Sequence, residues 1–191
     1  MLRENRSERG RGGRRSRPLI LIVVGAARTE VSYLSGLRAN LAAISVDIKL
    51  QPAPGAPKQV VNAALRLRGP DFDDVWCVFD VDEFDIIDAV ALAEKEGVHV
   101  VVSNPCFELW LLLLFDDCRA HQPNCSAAMR RLKRHIPRYD KARLVFADFA
   151  AGVPDAIKRA RALENGDARP HPNPSTGMWR LAEAMMGTDN G

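Results

Sequence analysis

VWCVFDV, residues 75–81, is an almost wholly apolar run that ends in acidic residues, and LILIVV, residues 19–24, is a second run of this kind. Continuous apolar runs rich in β-branched and aromatic residues are typical of strands buried on both faces, as they are in parallel sheets. Two shorter stretches, residues 46–50 and 98–102, are predicted as further strands. The chain is therefore predicted to build a sheet of parallel strands.

Segments with helical spacing of their apolar residues alternate with these strands. They cover residues 29–41, 58–67, 86–96 and 107–115. Strands that alternate with helices at such distances predict an α/β fold, in which right-handed crossovers place helices on both faces of a Rossmann-like sheet.

The last third of the chain is predicted to be helical. Residues 126–136 and 154–163 read as basic helices, and residues 178–186 read as a final amphipathic helix. Ser175 or Thr176 is predicted to be the N-cap of that last helix, because a short hydroxyl side chain can accept a hydrogen bond from its first turn.

The 191 residues suffice for one medium-sized domain, predicted over residues 18–187, and a tail. The tail, residues 1–17, contains seven arginines, two glutamates and almost no apolar side chains. It is predicted to be a disordered basic arm, because it has too little apolar surface to offset the entropy of ordering. Such an arm is either a solvated tail or a non-specific binding element for phosphate groups.

Several classes of protein are not expected from this composition. The four cysteines form no CxxC pair, which argues against a zinc site and favours buried free thiols. The apolar runs are too short to cross a bilayer and no signal peptide is recognised, so we expect a cytoplasmic protein without membrane contact. Neither a GxGxxG motif nor a P-loop is present, which argues against the nucleotide cofactors that those motifs bind.

Acidic residues stand at the point where the predicted strand 75–81 ends. These are Asp80, Asp82 and Glu83, and in open α/β sheets ligands bind beyond these ends of the strands. Residues two apart in an extended chain point to the same side, so Asp80 and Asp82 are predicted to converge on a divalent cation. Mg²⁺ or Mn²⁺ suits such oxygen ligands and can activate water against a phosphodiester. The alternative is a solvated acidic turn without function.

Two further glutamates follow other predicted strands. Glu108 is the only charged residue in PCFELWLLLLF, residues 105–115. A buried carboxylate is rare without a partner or a metal, but a glutamate in the first turn also stabilises a helix. Glu30 follows the first strand. It can either stabilise the first turn of the next helix or belong to the site, and the sequence leaves both interpretations open. The neighbouring polar residues Asn104 and Thr29 are predicted helix caps.

These motifs together resemble a known family. They are ILIVVGAARTEVSYLSGLR (residues 20–38), DDVWCVFDVDE (73–83), SNPCFELWLLLLFDD (103–117) and NPSTGMWRL (173–181), and they are similar to the RloB family. The resemblance implies a Toprim-like core, in which a glutamate after the first strand and a DxD motif, here Asp80 and Asp82, hold Mg²⁺ for phosphodiester chemistry. It also implies a place in bacterial restriction and anti-phage loci, with an ATPase as partner.

The sequence departs from that family at the first glutamate. Related sequences read roughly E-G-x-x-T-E after the first strand, whereas this chain has Gly25 at the position of the expected catalytic glutamate. If Glu30, Glu83 or Glu108 completes the site, the resemblance implies a Mg²⁺-dependent nuclease that cuts DNA or RNA. If none does, it implies a non-catalytic subunit that binds nucleic acid or an ATPase. A purely structural subunit is a third interpretation, and homo-oligomerisation is left open.

Overall fold

The computed structural model of the protein describes residues 17–26, 28–40, 46–81, 85–164 and 171–187. The predicted basic arm, apart from Arg17, lies outside the described residues, and so do Asp82 and Glu83. Within the described ranges no helix has both the length and the apolar character that crossing a membrane requires.

A mostly parallel sheet forms the centre of the described structure. Its strands are β1 (Leu19–Val24), β2 (Asp47–Pro52), β3 (Asp74–Asp80), β4 (His99–Asn104) and β5 (Ser175–Thr176). They follow the order β2-β1-β3-β4-β5, and the neighbours among β1 to β4 pair in parallel. Strands β1 and β3 are buried along most of their length, as the two apolar runs in the sequence predict. The predicted parallel sheet is thereby confirmed.

The fifth strand differs from the prediction. Ser175 and Thr176, predicted as the N-cap of the last helix, pair antiparallel with β4, where Thr176 lies opposite Ser103. The N-cap position itself is Gly177, but the Thr176 hydroxyl still accepts a hydrogen bond at 3.4 Å from the amide of Met178, the first residue of that helix. The hydroxyl groups of Thr176 and Ser103 are buried and lie 2.9 Å apart. Since each hydroxyl gives the other a hydrogen-bond partner, these polar side chains can be buried at the sheet edge without a large cost.

Helices cover both faces of the sheet. They are α1 (Thr29–Asn40), α2 (Pro57–Leu67), α3 (Ile87–Lys95), α4 (Glu108–Leu113), α5 (Cys125–His135), α6 (Val153–Leu163) and α7 (Met178–Met186). Helices α2 and α3 pack on one face, whereas α1, α4, α6 and α7 contribute to the core on the other. The predicted α/β fold with a helical C-terminal part is confirmed.

The two faces of the sheet carry cores of different composition. The face towards α2 and α3 is filled mainly by small side chains such as Val60 and Ala64. The opposite face holds large rings, including Tyr33 and Trp110, which meet edge to face with centroids 6.2 Å apart. Helix α4 lies inside this second core with all six residues buried. Because full burial of one leucine contributes about 1.5–3 kcal/mol, α4 is a principal anchor of this face.

The strand order creates a switch point between β1 and β3. The connection from β1 through α1 runs to β2 on one side, while the connection from β3 through α3 runs to β4 on the other. The two helices also cover opposite faces of the sheet. At such a point the loops beyond the carboxyl ends of the strands diverge and leave a crevice, where ligands of open α/β sheets bind.

Candidate functional site

Three carboxylates converge at this switch point. Glu30 is the second residue of α1, Asp80 is the last residue of β3, and Glu108 is the first residue of α4. The charges of Glu30 and Glu108 both act on Asp80, so the structure places three of the side chains that the sequence singles out in one neighbourhood. Among the described residues, these three carboxylates are not packed so closely that one ligand atom of each lies within 4.8 Å of the other two. Asp82 and Glu83, the other two predicted site residues, lie outside the described residues.

The local structure fixes where Asp80 points. Along β3 the side chains alternate, so that Trp76 and Val78 enter the core with the large rings while Cys77 and Phe79 enter the core on the α2 side. Asp80 continues the first series and therefore faces α1 and α4. The backbone amide of Phe107 donates a hydrogen bond to its carboxylate, which ties the end of β3 to the start of α4.

The cluster carries more negative charge than its surroundings neutralise. Burial raises the pKa of Asp80 well above its usual range, and the charges of Glu30 and Glu108 raise it further, against the hydrogen bond from Phe107 and the charge of Lys141. Burial also raises the pKa of Glu30, with the charge of Glu108 adding to it. A cation placed among these carboxylates would relieve both effects, because opposite charge favours the ionised form.

A lysine and a tyrosine hold the carboxylate of Glu108. The Lys141 Nζ atom lies 2.8 Å from Glu108 Oε1, and the Tyr139 hydroxyl donates to the same oxygen at 3.1 Å. The Thr29 hydroxyl donates to the Lys141 carbonyl oxygen at 3.0 Å. Burial, followed by the charge of Glu108, raises the pKa of Tyr139, so its hydroxyl stays protonated and able to donate. A buried carboxylate with such partners is oriented as well as partly neutralised.

The sequence alone does not point to Tyr139 or Lys141. They lie in the loop after α5, and only their contacts with Glu108 and Thr29 bring them to the switch point. Two predicted caps are also corrected. The Thr29 hydroxyl donates to the Lys141 carbonyl oxygen in the loop after α5 instead of capping α1. The side-chain amide of Asn104 donates to the His171 carbonyl oxygen at 2.8 Å instead of capping α4. Both hydrogen bonds are long-range, so local sequence patterns could not reveal them.

The cysteines also differ from the prediction of free thiols. Cys106 and Cys125 form a disulfide with a Cα–Cα distance of 5.6 Å, whereas Cys77 and Cys118 are free and buried. The disulfide joins the turn before α4 to the first residue of α5. The Cys125 Sγ atom also lies 2.9 Å from Glu108 Oε2. The pair could not be recognised from the sequence, because the two cysteines are 19 residues apart and show no motif.

Gly25 lies on the other side of the sheet edge. A Cβ atom at Gly25 would lie 3.0 Å from the Val60 Cγ2 atom and 3.4 Å from the Phe79 Cβ atom. Both of these neighbours belong to the core on the α2 side. A glutamate at position 25 would therefore start on the face away from Asp80, whereas Glu30 starts on the face that Asp80 shares.

Most of the chain matches a known protein family. A family model described as "RloB-like protein" matches residues 20–185, which is most of the chain and includes Glu30, Asp80 and Glu108. None of the curated proteins matches significantly, and no solved structure does so either.

Proposed function

Since the chain belongs to the RloB-like family, we propose that it is a Mg²⁺-dependent nuclease with a Toprim-like core, which cuts DNA or RNA in defence against phage. The observation that carries this proposal is the convergence of Glu30, Asp80 and Glu108 at the switch point of the sheet. Loops beyond the carboxyl ends of parallel strands are where such folds place their ligands.

The donor set fits a hard divalent cation. Carboxylate oxygens are the ligands that Mg²⁺ and Mn²⁺ prefer, and the raised pKa of Asp80 reflects negative charge that a cation would compensate. Asp80, Glu30 and Glu108 would hold the ion, with Asp82 as a further ligand from the DxD motif. When bound, the ion would supply Lewis-acid polarisation of a phosphodiester and a water of lowered pKa.

The surrounding residues would position the carboxylates. Tyr139 and Lys141 fix the direction of Glu108, and Thr29 anchors the backbone of Lys141 next to Glu30. Phe107 fixes Asp80 through its amide. Displacement of a reacting group by about 1 Å can lower a rate roughly a hundredfold, so these contacts would matter for rate as much as for binding.

A basic surface next to the site would hold the phosphate backbone. Five exposed cationic side chains on α5 and in the following loop form this basic surface: Arg130, Lys133, Arg134, Arg138 and Arg143. The loop continues into the residues that contact Glu108. A nucleic acid bound along this surface would therefore extend to the three carboxylates. Binding of this kind releases counterions and depends strongly on salt.

The purified protein is expected to cleave at least one of plasmid DNA, single-stranded DNA and total tRNA when Mg²⁺ or Mn²⁺ is present. EDTA should abolish cleavage, because the proposed site has no other source of Lewis acidity. Products are separated on denaturing gels. Absence of cleavage of all three substrates, with the metal bound and nucleic acid retained, would contradict the nuclease and support a second function.

That second function is a non-catalytic subunit that binds nucleic acid or an ATPase. It is favoured by the ion pair that Lys141 already makes with Glu108, which leaves less negative charge for a metal ion. Both functions share the same basic surface, so binding alone does not separate them and the cleavage assay does. An ATPase partner, a cytoplasmic location and homo-oligomerisation remain parts of the proposal.

Replacing Arg130 and Arg134 by glutamine should weaken nucleic-acid binding and make it less sensitive to salt. Each lost phosphate contact reduces the slope of log K against log salt by about 0.9 for duplex DNA, so a change of roughly 1–2 is expected for the pair. Fluorescence anisotropy between 50 and 200 mM salt, about the range over which such contacts respond, measures it.

The matched control replaces Arg66 and Lys95 by glutamine. These two cations are exposed on α2 and α3, at the opposite face of the sheet. The control variant should keep the slope of the unmodified protein. Equal loss of slope in both variants would show that net charge matters and the basic surface does not.

A further inference from the structure

A second cluster of ligand atoms adjoins the three carboxylates. One ligand atom each from Cys106, Glu108 and Cys125 lies within 4.8 Å of the other two. We propose that these three side chains bind a thiophilic divalent cation of the Zn²⁺ type when the cysteine pair is reduced. Glu108 is shared with the proposed Mg²⁺ site, but the inference does not rest on nuclease activity, because its test measures cation binding by the two cysteine thiolates.

A tetrahedral ion requires the two sulfur atoms to move apart. With Zn–S distances of about 2.3 Å, two thiolates of a tetrahedral site lie about 3.8 Å apart, whereas the two sulfurs are bonded to each other in this structure. Reduction frees them, and the three ligand atoms then start from positions within 4.8 Å of one another. Cys106 and Glu108 flank the start of α4, and Cys125 begins α5. The turn before α4, the start of α4 and the start of α5 thus contribute one ligand each, and the two helices pack against each other. A water would take the fourth position.

The contact between Cys125 and Glu108 points to the reduced form. Cys125 Sγ lies 2.9 Å from Glu108 Oε2, but the sulfur of a disulfide has no hydrogen to donate. In the disulfide form the Lys141 ammonium lies next to both groups, 3.5 Å from Cys125 Sγ and 2.8 Å from Glu108 Oε1. In the dithiol form the Cys125 thiol can itself donate to Glu108, whose carboxylate is only 2% exposed. A cation bound by sulfur and carboxylate would take over the role that Lys141 has in this structure.

The cation can bind only after a reductant has broken the disulfide. A phosphine reduces the disulfide with one water molecule: the phosphine becomes its oxide, and each sulfur receives one hydrogen as the S–S bond breaks. Binding of the cation then replaces the two thiol protons, which pass to the solvent. Soft thiolates favour Zn²⁺ over Mg²⁺, so this site and a carboxylate site for Mg²⁺ differ in the metal that they select.

The test is titration of the phosphine-reduced full-length protein with Co²⁺ under anaerobic conditions. Co²⁺ bound by two thiolates gives a near-ultraviolet charge-transfer band and strong visible absorption, and one equivalent of Zn²⁺ should remove both. The protein oxidised with diamide keeps the disulfide and should show neither band. Thiol counts in denaturant verify the two states, with Cys77 and Cys118 the only thiols expected in the oxidised protein.

Variants separate this site from other metal sites. The Cys106→Ser and Cys125→Ser variants should lose the charge-transfer band, whereas Cys77→Ser and Cys118→Ser should keep it. Glu108→Gln should weaken Co²⁺ binding by roughly tenfold or more, since even residues that only support a metal ligand contribute 10–100-fold. Asp80→Asn should leave the band unchanged, even if it removes binding of Mn²⁺.

Two results would overturn the proposal. One is absence of the band from the reduced, folded wild type. The other is the same band in the oxidised protein or in folded Cys125→Ser, because the ligands would then lie elsewhere. Comparison of oxidised and reduced wild type keeps the test decisive even if a serine variant fails to fold.

Discussion

Replacing Asp80 by asparagine should stabilise the metal-free protein at neutral pH and abolish its binding of Mn²⁺. Burial and the nearby charges of Glu30 and Glu108 hold the pKa of Asp80 well above its usual range, so its ionised form is unfavourable in the fold. Asparagine can still accept the hydrogen bond from the Phe107 amide without carrying a charge. We expect a gain of about 1–2 kcal/mol, or roughly 2–8 °C in melting temperature.

The gain should depend on pH in a defined direction. The unfolded chain ionises Asp80 near pH 3.9, and the folded chain does so only at higher pH. The unfolded state therefore binds fewer protons over the interval between these two values, and the wild type loses stability as the pH rises through it. The advantage of Asp80→Asn should be absent at about pH 3.9 and below, and complete once the pH exceeds the folded pKa.

Thermal unfolding in EDTA and in Mn²⁺, together with calorimetric titration of Mn²⁺, measures both effects. Mn²⁺ should stabilise the wild type, because an ion that binds only the folded state adds to its stability, and should leave the variant unchanged. If the wild type cleaves nucleic acid, the variant should lose at least about a hundredfold in rate. Asp88→Asn is the control, since the Asp88 side chain is 79% exposed on α3. A variant that is less stable in EDTA and binds Mn²⁺ as the wild type does would refute the assignment.

Replacing Gly152 by alanine should cause a large loss of stability. A Cβ atom at Gly152, which directly precedes α6, would collide with the carbonyl oxygen of Leu114. Leu114 ends the buried helix α4, so its backbone cannot move without disturbing the larger core. Overpacking against a side chain costs about 1–3 kcal/mol, and a clash with backbone belongs at the upper end. We expect a decrease of about 6–12 °C in melting temperature.

Gly69→Ala is the matched control for this substitution. A Cβ atom at Gly69 has no heavy atom within 4 Å, so the change should leave stability within about 0.5 kcal/mol or raise it slightly. Urea unfolding monitored by circular dichroism gives both free energies. Equal stability of the Gly152 and Gly69 variants would mean that the backbone between α4 and α6 can shift to accommodate a Cβ atom at position 152, contrary to this prediction.

The sequence reveals the main layers of the fold because their signals are local. The apolar runs of β1 and β3 and the helical spacing between them are each contained in a short window. Strand β5 could not be found in this way. It has two residues, and its partner Ser103 is 73 residues away from Thr176. In the sequence, a serine and a threonine just before a helix are typical of a helix cap, and only the pairing with β4 identifies them as a strand.

The same distinction applies to the candidate site. Asp80, Glu30 and Glu108 can be placed together from the sequence because each lies at or shortly after the end of a predicted strand, and the carboxyl ends of parallel strands share one edge of the sheet. Tyr139 and Lys141 reach Glu108 from a loop that follows no strand. Their contribution depends on how the C-terminal half packs, which local patterns do not determine.

The hydrogen bond from Thr29 to the carbonyl of Lys141 has a consequence for biosynthesis. It joins residues 112 positions apart, and Lys141 emerges from the ribosome after Glu30, Asp80 and Glu108. At about 5–20 residues per second, the interval between residues 108 and 141 lasts roughly 2–7 seconds. Throughout that time the nascent chain has all three acidic residues but not the lysine that clamps Glu108. A phosphodiesterase assembled in this order would stay inactive until most of its own chain had been translated.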